Sequence, residues 1–92
     1  MALLSEEQVN EMLQKAPQWT RTGKEITRSF QFKNFREALA FVVHVGLLAE
    51  RLNHHPQIAI DYKKVVLTLT THSEGGLTEK DFEMARQIDA IT

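Results

Sequence analysis

Two adjacent histidines sit directly before a proline in "AERLNHHPQIAIDY", Ala49 to Tyr62, and a third follows at the end of "VVLTLTTH". Histidine is the side chain whose charge changes near neutrality. Two imidazoles held together settle into different protonation states, so His54 and His55 offer a proton donor and a proton acceptor in one place. The chemistry available is general acid–base catalysis. Glu50 lies four residues before His54, and on a helix that spacing sets two side chains about 40° apart on one face. Pro56 excludes the α region for His55 and turns it away. His72 precedes the loop Ser73-Glu74-Gly75-Gly76. A helix end and a strand end converge at the rim of a layered fold, where loops leave clefts. His44 lies a further rotation of about 280° around its helix from His54; it points elsewhere and is read as structural.

The flanking patterns supply the elements that must hold these groups. Ser5 with Gln8 forms a capping box ahead of Val9, Met12 and Leu13, predicting a first helix over about 5–15 that Pro17 stops. "WTRTGKEITRSFQF" alternates apolar and polar residues about Gly23, the pattern of a β-hairpin. Asn34 as N-cap, with Glu37 at the third helical position, starts a long helix to about Leu52. Its middle, "ALAFVVHVGLLA", is apolar on nearly every side. That calls for cover on a second face, assigned to a second subunit rather than to the other helices.

"QIAIDY" and "VVLTLTTH" read as two strands about a turn at Lys63-Lys64, with His72 ending the second. Strict alternation then puts His72 on the face opposite Val65, Leu67 and Leu69, so the strand end must twist or the pocket must lie over that edge. Gly75-Gly76 break the chain, and Thr78 with Asp81 forms a further capping box. Phe82, Ala85, Ile88 and Ile91 share one face of the last helix. The order α-β-β-α-β-β-α predicts an α+β fold over 1–92 as one domain, a four-stranded antiparallel sheet with three helices packed on one face. Open sheet edges give a second route to association.

Composition narrows the function classes. Eleven basic against twelve acidic residues leave a net charge of −1, without the basic tract of a nucleic-acid or membrane-surface binder. The absence of cysteine removes disulfides and thiolate metal ligands and suits the cytoplasm. The start "MALLSEEQ" lacks a signal peptide's positive region. The longest apolar run falls well short of the roughly 20 residues that span a bilayer.

Glu50, three residues, His54-His55-Pro56, five residues, Tyr62, nine residues, His72, eight residues, Asp81: this series resembles the signature of the pterin-4a-carbinolamine dehydratases. The resemblance extends from about Trp19 to Ile88 through "ITRSFQF", "ALAFV", "LNHHP", "VLTLTTH" and "GGLTEKDF". It implies an enzyme without metal or organic cofactor that dehydrates 4a-hydroxytetrahydropterin, the product of aromatic amino acid hydroxylases, to quinonoid dihydropterin. It implies His54, His55 and His72 as the catalytic histidines. The pterin is then expected against Pro56 and the segment of Thr71, Ser73 and Glu74. It implies dimers or tetramers, here through the second helix and a sheet edge. Lys63, where the family often has asparagine, and Ile58, where many animal members have tryptophan, depart from the common pattern. They bear on the pterin side chain rather than on the reaction.

Under that resemblance, His54 and His72 are expected to serve the leaving hydroxyl and its opposite-face epimer. His55 positions the ring or acts as partner base, Glu50 orients His54, and Tyr62 and Asp81 support the site. Two other readings compete. Three histidines and a carboxylate are a donor set for zinc. The same fold also serves in some animal members as a dimerisation cofactor for a transcription factor, a protein-binding role without catalysis.

Overall fold

The computed structural model describes residues 2–92. Capping residues start each helix where the sequence expects. Ser5 opens α1 (Glu6–Gln14) with a reciprocal capping box to Gln8, and the Asn34 side chain accepts the Glu37 N–H at the start of α2 (Phe35–Leu52). Thr78 opens α3 (Glu79–Ala90) in the same reciprocal manner with Asp81. Each cap satisfies backbone donors that the first helical turn leaves unpaired. The strands are β1 (Thr20–Thr22), β2 (Glu25–Gln31), β3 (Gln57–Asp61) and β4 (Lys64–Leu69), all antiparallel in the order β1-β2-β4-β3.

Alternation decides which face the sheet buries. Ile26 and Phe30 of β2, with Val65, Leu67 and Leu69 of β4, are buried and face the helices, since successive strand residues point to opposite sides. Ile58 and Ile60 of β3 stand opposite Leu67 and Val65 and pack against the same core. From the helices come Val9, Ala38, Phe41, Val45, Leu48, Phe82, Met84, Ala85 and Ile88. Ile58 therefore lies in the core layer rather than in a pocket wall. The side chain of Asp89 ties α3 to the first hairpin, accepting from Trp19 Nε1 at 2.9 Å and from Arg28.

The second helix is only half covered. Phe35, Leu39, Val43 and Leu47 recur every fourth residue and are between 44% and 65% exposed. His44 is exposed on the same helix, away from the candidate site.

Two boundaries differ from the sequence reading. The turn between β3 and β4 is centred on Tyr62-Lys63 instead of Lys63-Lys64, with Tyr62 in the left-handed region at φ 54°. Strand β4 stops at Leu69, and His72 begins a 3₁₀ turn, His72–Glu74. The chain leaves the sheet because Thr71 pairs with Gly76 across an isolated bridge, N–H to O distances being 2.9 and 3.3 Å. Gly75 closes that loop at φ 74°, where an L side chain would be strained. The conflict over which face carries His72 disappears, since His72 is not on a strand.

Candidate active site

Three chain reversals meet at one end of the sheet. The first ends α2: Asn53 takes the left-handed conformation at φ 52°, ψ 43°, and the His54 N–H reaches back to the Ala49 carbonyl at 3.1 Å. Asparagine is the usual non-glycine residue for that role. The second is the Thr71–Gly76 loop after β4, and the third is the N-terminus of α3. Register places the first two side by side, because Gln57 beside the histidine pair stands opposite Thr68.

The left-handed turn splits the histidine pair. His54 passes under the helix end toward α3, where its Nε2 lies 2.6 Å from Asp81 Oδ1. His55 swings back over the helix and sets its Nε2 2.5 Å from Glu50 Oε2. The side chain of His54 is 11% exposed and that of His55 56%. Glu50 thus serves His55 and not, as the spacing suggested, His54. The four-residue rule holds only within a helix, and His54 lies beyond the residue that ends it.

Asp81 is fully buried, and a buried carboxylate is stable only when its oxygens are paired. Oδ1 faces His54, while Oδ2 accepts from the Thr78 N–H at 2.9 Å and the Thr71 hydroxyl at 2.8 Å. The Thr71 and Thr78 hydroxyls are themselves 2.8 Å apart.

Between these segments lies a cleft of about 250 Å³ lined by Asn53, His54, His55, Thr70, Thr71, His72, Ser73 and Lys80. It brings together all three catalytic candidates, with Thr71 and Ser73. Pro56 and Glu74 do not line it: Pro56 bends the chain toward β3, and Glu74 is exposed on the far end of the 3₁₀ turn. Tyr62 does not line it either. It is 63% exposed at the opposite end of β3, about 17 Å along the strand from Gln57 at some 3.4 Å per residue. Among the described residues, no three histidine or carboxylate side chains group closely enough to share a metal ion.

Asn53, Thr70 and Lys80 were not singled out from the sequence. Asn53 carried a readable signal, an asparagine where a helix must end before "HHP". Lys80 did not, being one exposed charge in the first turn of α3.

The chain matches the family model described as "Pterin 4 alpha carbinolamine dehydratase" over residues 2–91. It is 52% identical over 88 residues to a Roseiflexus protein (strain RS-1), covering 96% of this chain and 95% of that one. A Chloroflexus aurantiacus relative (strain J-10-fl) is also 52% identical, with coverage of 99% and 98%. Both are provisionally named pterin-4-alpha-carbinolamine dehydratases. The crystal structure of a transcriptional coactivator/pterin dehydratase from Brucella melitensis superposes with a TM-score of 0.92 at 44% identity, covering 97% of each chain. A pterin dehydratase-like RuBisCO assembly factor of the alpha-carboxysome shares the fold at a TM-score of 0.66 and 24% identity, over 79% of this chain and 84% of that one.

Proposed function

The chain belongs to the pterin-4a-carbinolamine dehydratase family, and we propose that it removes water from a 4a-hydroxytetrahydropterin to give the quinonoid dihydropterin. The observation that carries this reading is the meeting of His54, His55 and His72 around one cleft, two of them backed by carboxylates. Loss of the hydroxyl requires a proton on the departing oxygen, electron push from the ring, and removal of a ring proton. The loss of water is redox-neutral, with one proton delivered and one removed, which is work that imidazoles can do.

In this reading His72, as the imidazolium, protonates the hydroxyl as its bond to carbon breaks. His54 takes the ring proton, and the buried Asp81 carboxylate stabilises the imidazolium that forms. His55, held by Glu50, positions the heterocycle or relays a proton for the opposite epimer. Acid and base groups of this kind each contribute about 10²–10⁴-fold. The pterin lies between the histidine corner and Thr71–Ser73.

The proposed assembly is a homodimer or homotetramer, supported by the open stripe on α2, with the edge strand β3 as the second contact. Large apolar residues aligned on one helix face mark association surfaces. The assignment is to a cytoplasmic enzyme of one domain, acting in recycling of the tetrahydropterin used by aromatic amino acid hydroxylases. The same stripe is the observation that favours a second reading, a protein-binding module. Freshly generated 4a-carbinolamine, followed by absorbance, separates the two. The protein is expected to accelerate its decay, and His54→Ala or His72→Ala to lose at least tenfold. A wild-type protein that leaves the decay unchanged overturns the dehydratase reading. Leu47→Glu is expected to lower the solution mass toward the monomer, measured by light scattering.

A further inference from the structure

Thr71, Thr78 and the inner oxygen of Asp81 take no direct part in the reaction proposed above, yet they form one buried chain of hydrogen bonds. Donor–acceptor accounting fixes its direction. The Thr78 N–H only donates, and as a carboxylate Asp81 only accepts. The Thr71 hydroxyl, 2.8 Å from Oδ2, therefore gives its single proton to Asp81. With that proton committed, the contact between the two hydroxyls must run from Thr78 Oγ1 to Thr71 Oγ1. Thr78 Oγ1 receives in turn from the Lys80 N–H at 3.3 Å. No buried side-chain nitrogen or oxygen among the described residues is left unpaired.

The carboxylate is thus pinned on one side by two donors, and its other oxygen is aimed at His54 Nε2. That nitrogen must carry the proton, so neutral His54 has Nδ1 as its acceptor. We infer that Thr71 and Thr78 are positioning residues: they set the plane of the Asp81 carboxylate and thereby lock His54 in the Nε2–H tautomer, leaving Nδ1 to exchange protons with the substrate. Thr71 changes role accordingly. Its hydroxyl proton is spent inward, and the residue is only 7% exposed, so it has none to offer a bound pterin. The lock itself stands on geometry; its consequence for rate rests on the dehydratase reading.

The test is Thr71→Val, which keeps the shape and removes the hydroxyl, against Thr71→Ser, which restores it. Long-range ¹H–¹⁵N correlation spectra of the full chain read the His54 ring, assigned by its loss in His54→Gln. Wild type and Thr71→Ser are expected to show the Nε2–H tautomer, and Thr71→Val a mixture with Nδ1–H. In the carbinolamine assay Thr71→Val is expected to lose about tenfold in kcat, as for loss of one donor to a charged acceptor, with KM within twofold. Thr71→Ser recovers the rate. A raised KM with unchanged kcat overturns the inference and makes Thr71 a substrate contact. So does an Nδ1–H tautomer in the wild type, or a Thr71→Val ring spectrum identical to wild type. Failure of the wild type to dehydrate the carbinolamine overturns the functional reading instead, while the ring spectra still decide the lock.

Discussion

Asparagine at position 81 is the smallest change that would reverse the direction of the His54–Asp81 hydrogen bond. The surrounding donors leave the new amide no choice of orientation. Thr78 N–H and the Thr71 hydroxyl both point at the Oδ2 position, so the amide oxygen must sit there and the NH₂ must take the place of Oδ1. That group is a donor facing His54 Nε2 at 2.6 Å in the parent structure, and the ring answers by placing its proton on Nδ1. Neutral His54 then has no ring nitrogen free to accept a proton. Restoring the working tautomer would set two donors against each other. That forfeits a hydrogen bond to a charged group, about 1.5–3 kcal/mol, and leaves a buried donor unpaired, about 1–3 kcal/mol. Together these amount to about 2.5–6 kcal/mol, or roughly 10²–10⁴-fold in rate at 1.36 kcal/mol per decade. The same exchange in the serine-protease triad costs about 10⁴-fold for the same reason. Because the capping bond to Thr78 survives, Asp81→Asn is expected to fold and melt close to wild type. Carbinolamine decay measures the rate, and ring ¹⁵N shifts report the tautomer. A folded Asp81→Asn protein with the Nδ1–H tautomer and a rate within threefold of wild type would show that turnover does not depend on the His54 tautomer.

Three further outcomes follow from the same geometry. Glu50→Gln disturbs an ion pair whose side chains are 75% and 56% exposed; exposed pairs contribute about 0.2–1 kcal/mol, so kcat should fall no more than about fivefold, far less than for Asp81→Asn. Tyr62→Asn keeps a residue that tolerates the left-handed turn and lies at the far end of the sheet, so steady-state kinetics should stay within twofold of wild type. Glu6 is exposed but meets Arg21 through two parallel bonds of 2.8 Å, which hold its carboxyl below the usual glutamate range. A depressed carboxyl stabilises the fold above its ordinary titration range, and that contribution is lost as pH falls through the lowered value. In an NMR titration, Arg21→Gln should move the Glu6 midpoint up toward the ordinary value; an unmoved midpoint would dissociate the shift from Arg21.

The secondary structure was largely readable because its signals are local. Ser5, Asn34 and Thr78 cap the helices that their neighbours predict, and the alternation in β2 and β4 buries Ile26, Phe30, Val65, Leu67 and Leu69 as expected. The all-round apolar character of α2 translates into the open stripe from Phe35 to Leu47. Of the candidate site, the sequence foretells that the three histidines, Thr71 and Ser73 share one cleft, but not which partners they meet. The pairing of Glu50 with His54 was drawn from helical spacing, yet the helix stops at Asn53 and the rule stops with it. His54 finds Asp81 across 27 residues, and Thr71 finds Asp81 across ten. No periodicity encodes contacts of that separation; they follow from how the ends of α2, β4 and α3 are brought together. Tyr62 lies away from the cleft for the opposite reason. A motif records separation along the chain, and β3 carries its last residues away from the histidines.

The adjacency of His54 and His55 has a structural cause in the backbone that joins them. Once Asn53 ends the helix and Pro56 bars the α region from His55, the pair lies in non-helical chain, where successive side chains project to opposite sides. One imidazole is driven inward and the other outward. The inward ring meets a carboxylate with no exposed surface, the outward ring one that is 75% exposed. Attraction between opposite charges is several-fold stronger where water is excluded, while an exposed pair is screened by solvent and salt. Identical side chains one residue apart therefore take unlike positions: His54 faces inward to a buried carboxylate, and His55 faces outward to an exposed one. A single histidine cannot take both, and two histidines on one helical face would share one environment and compete for one carboxylate.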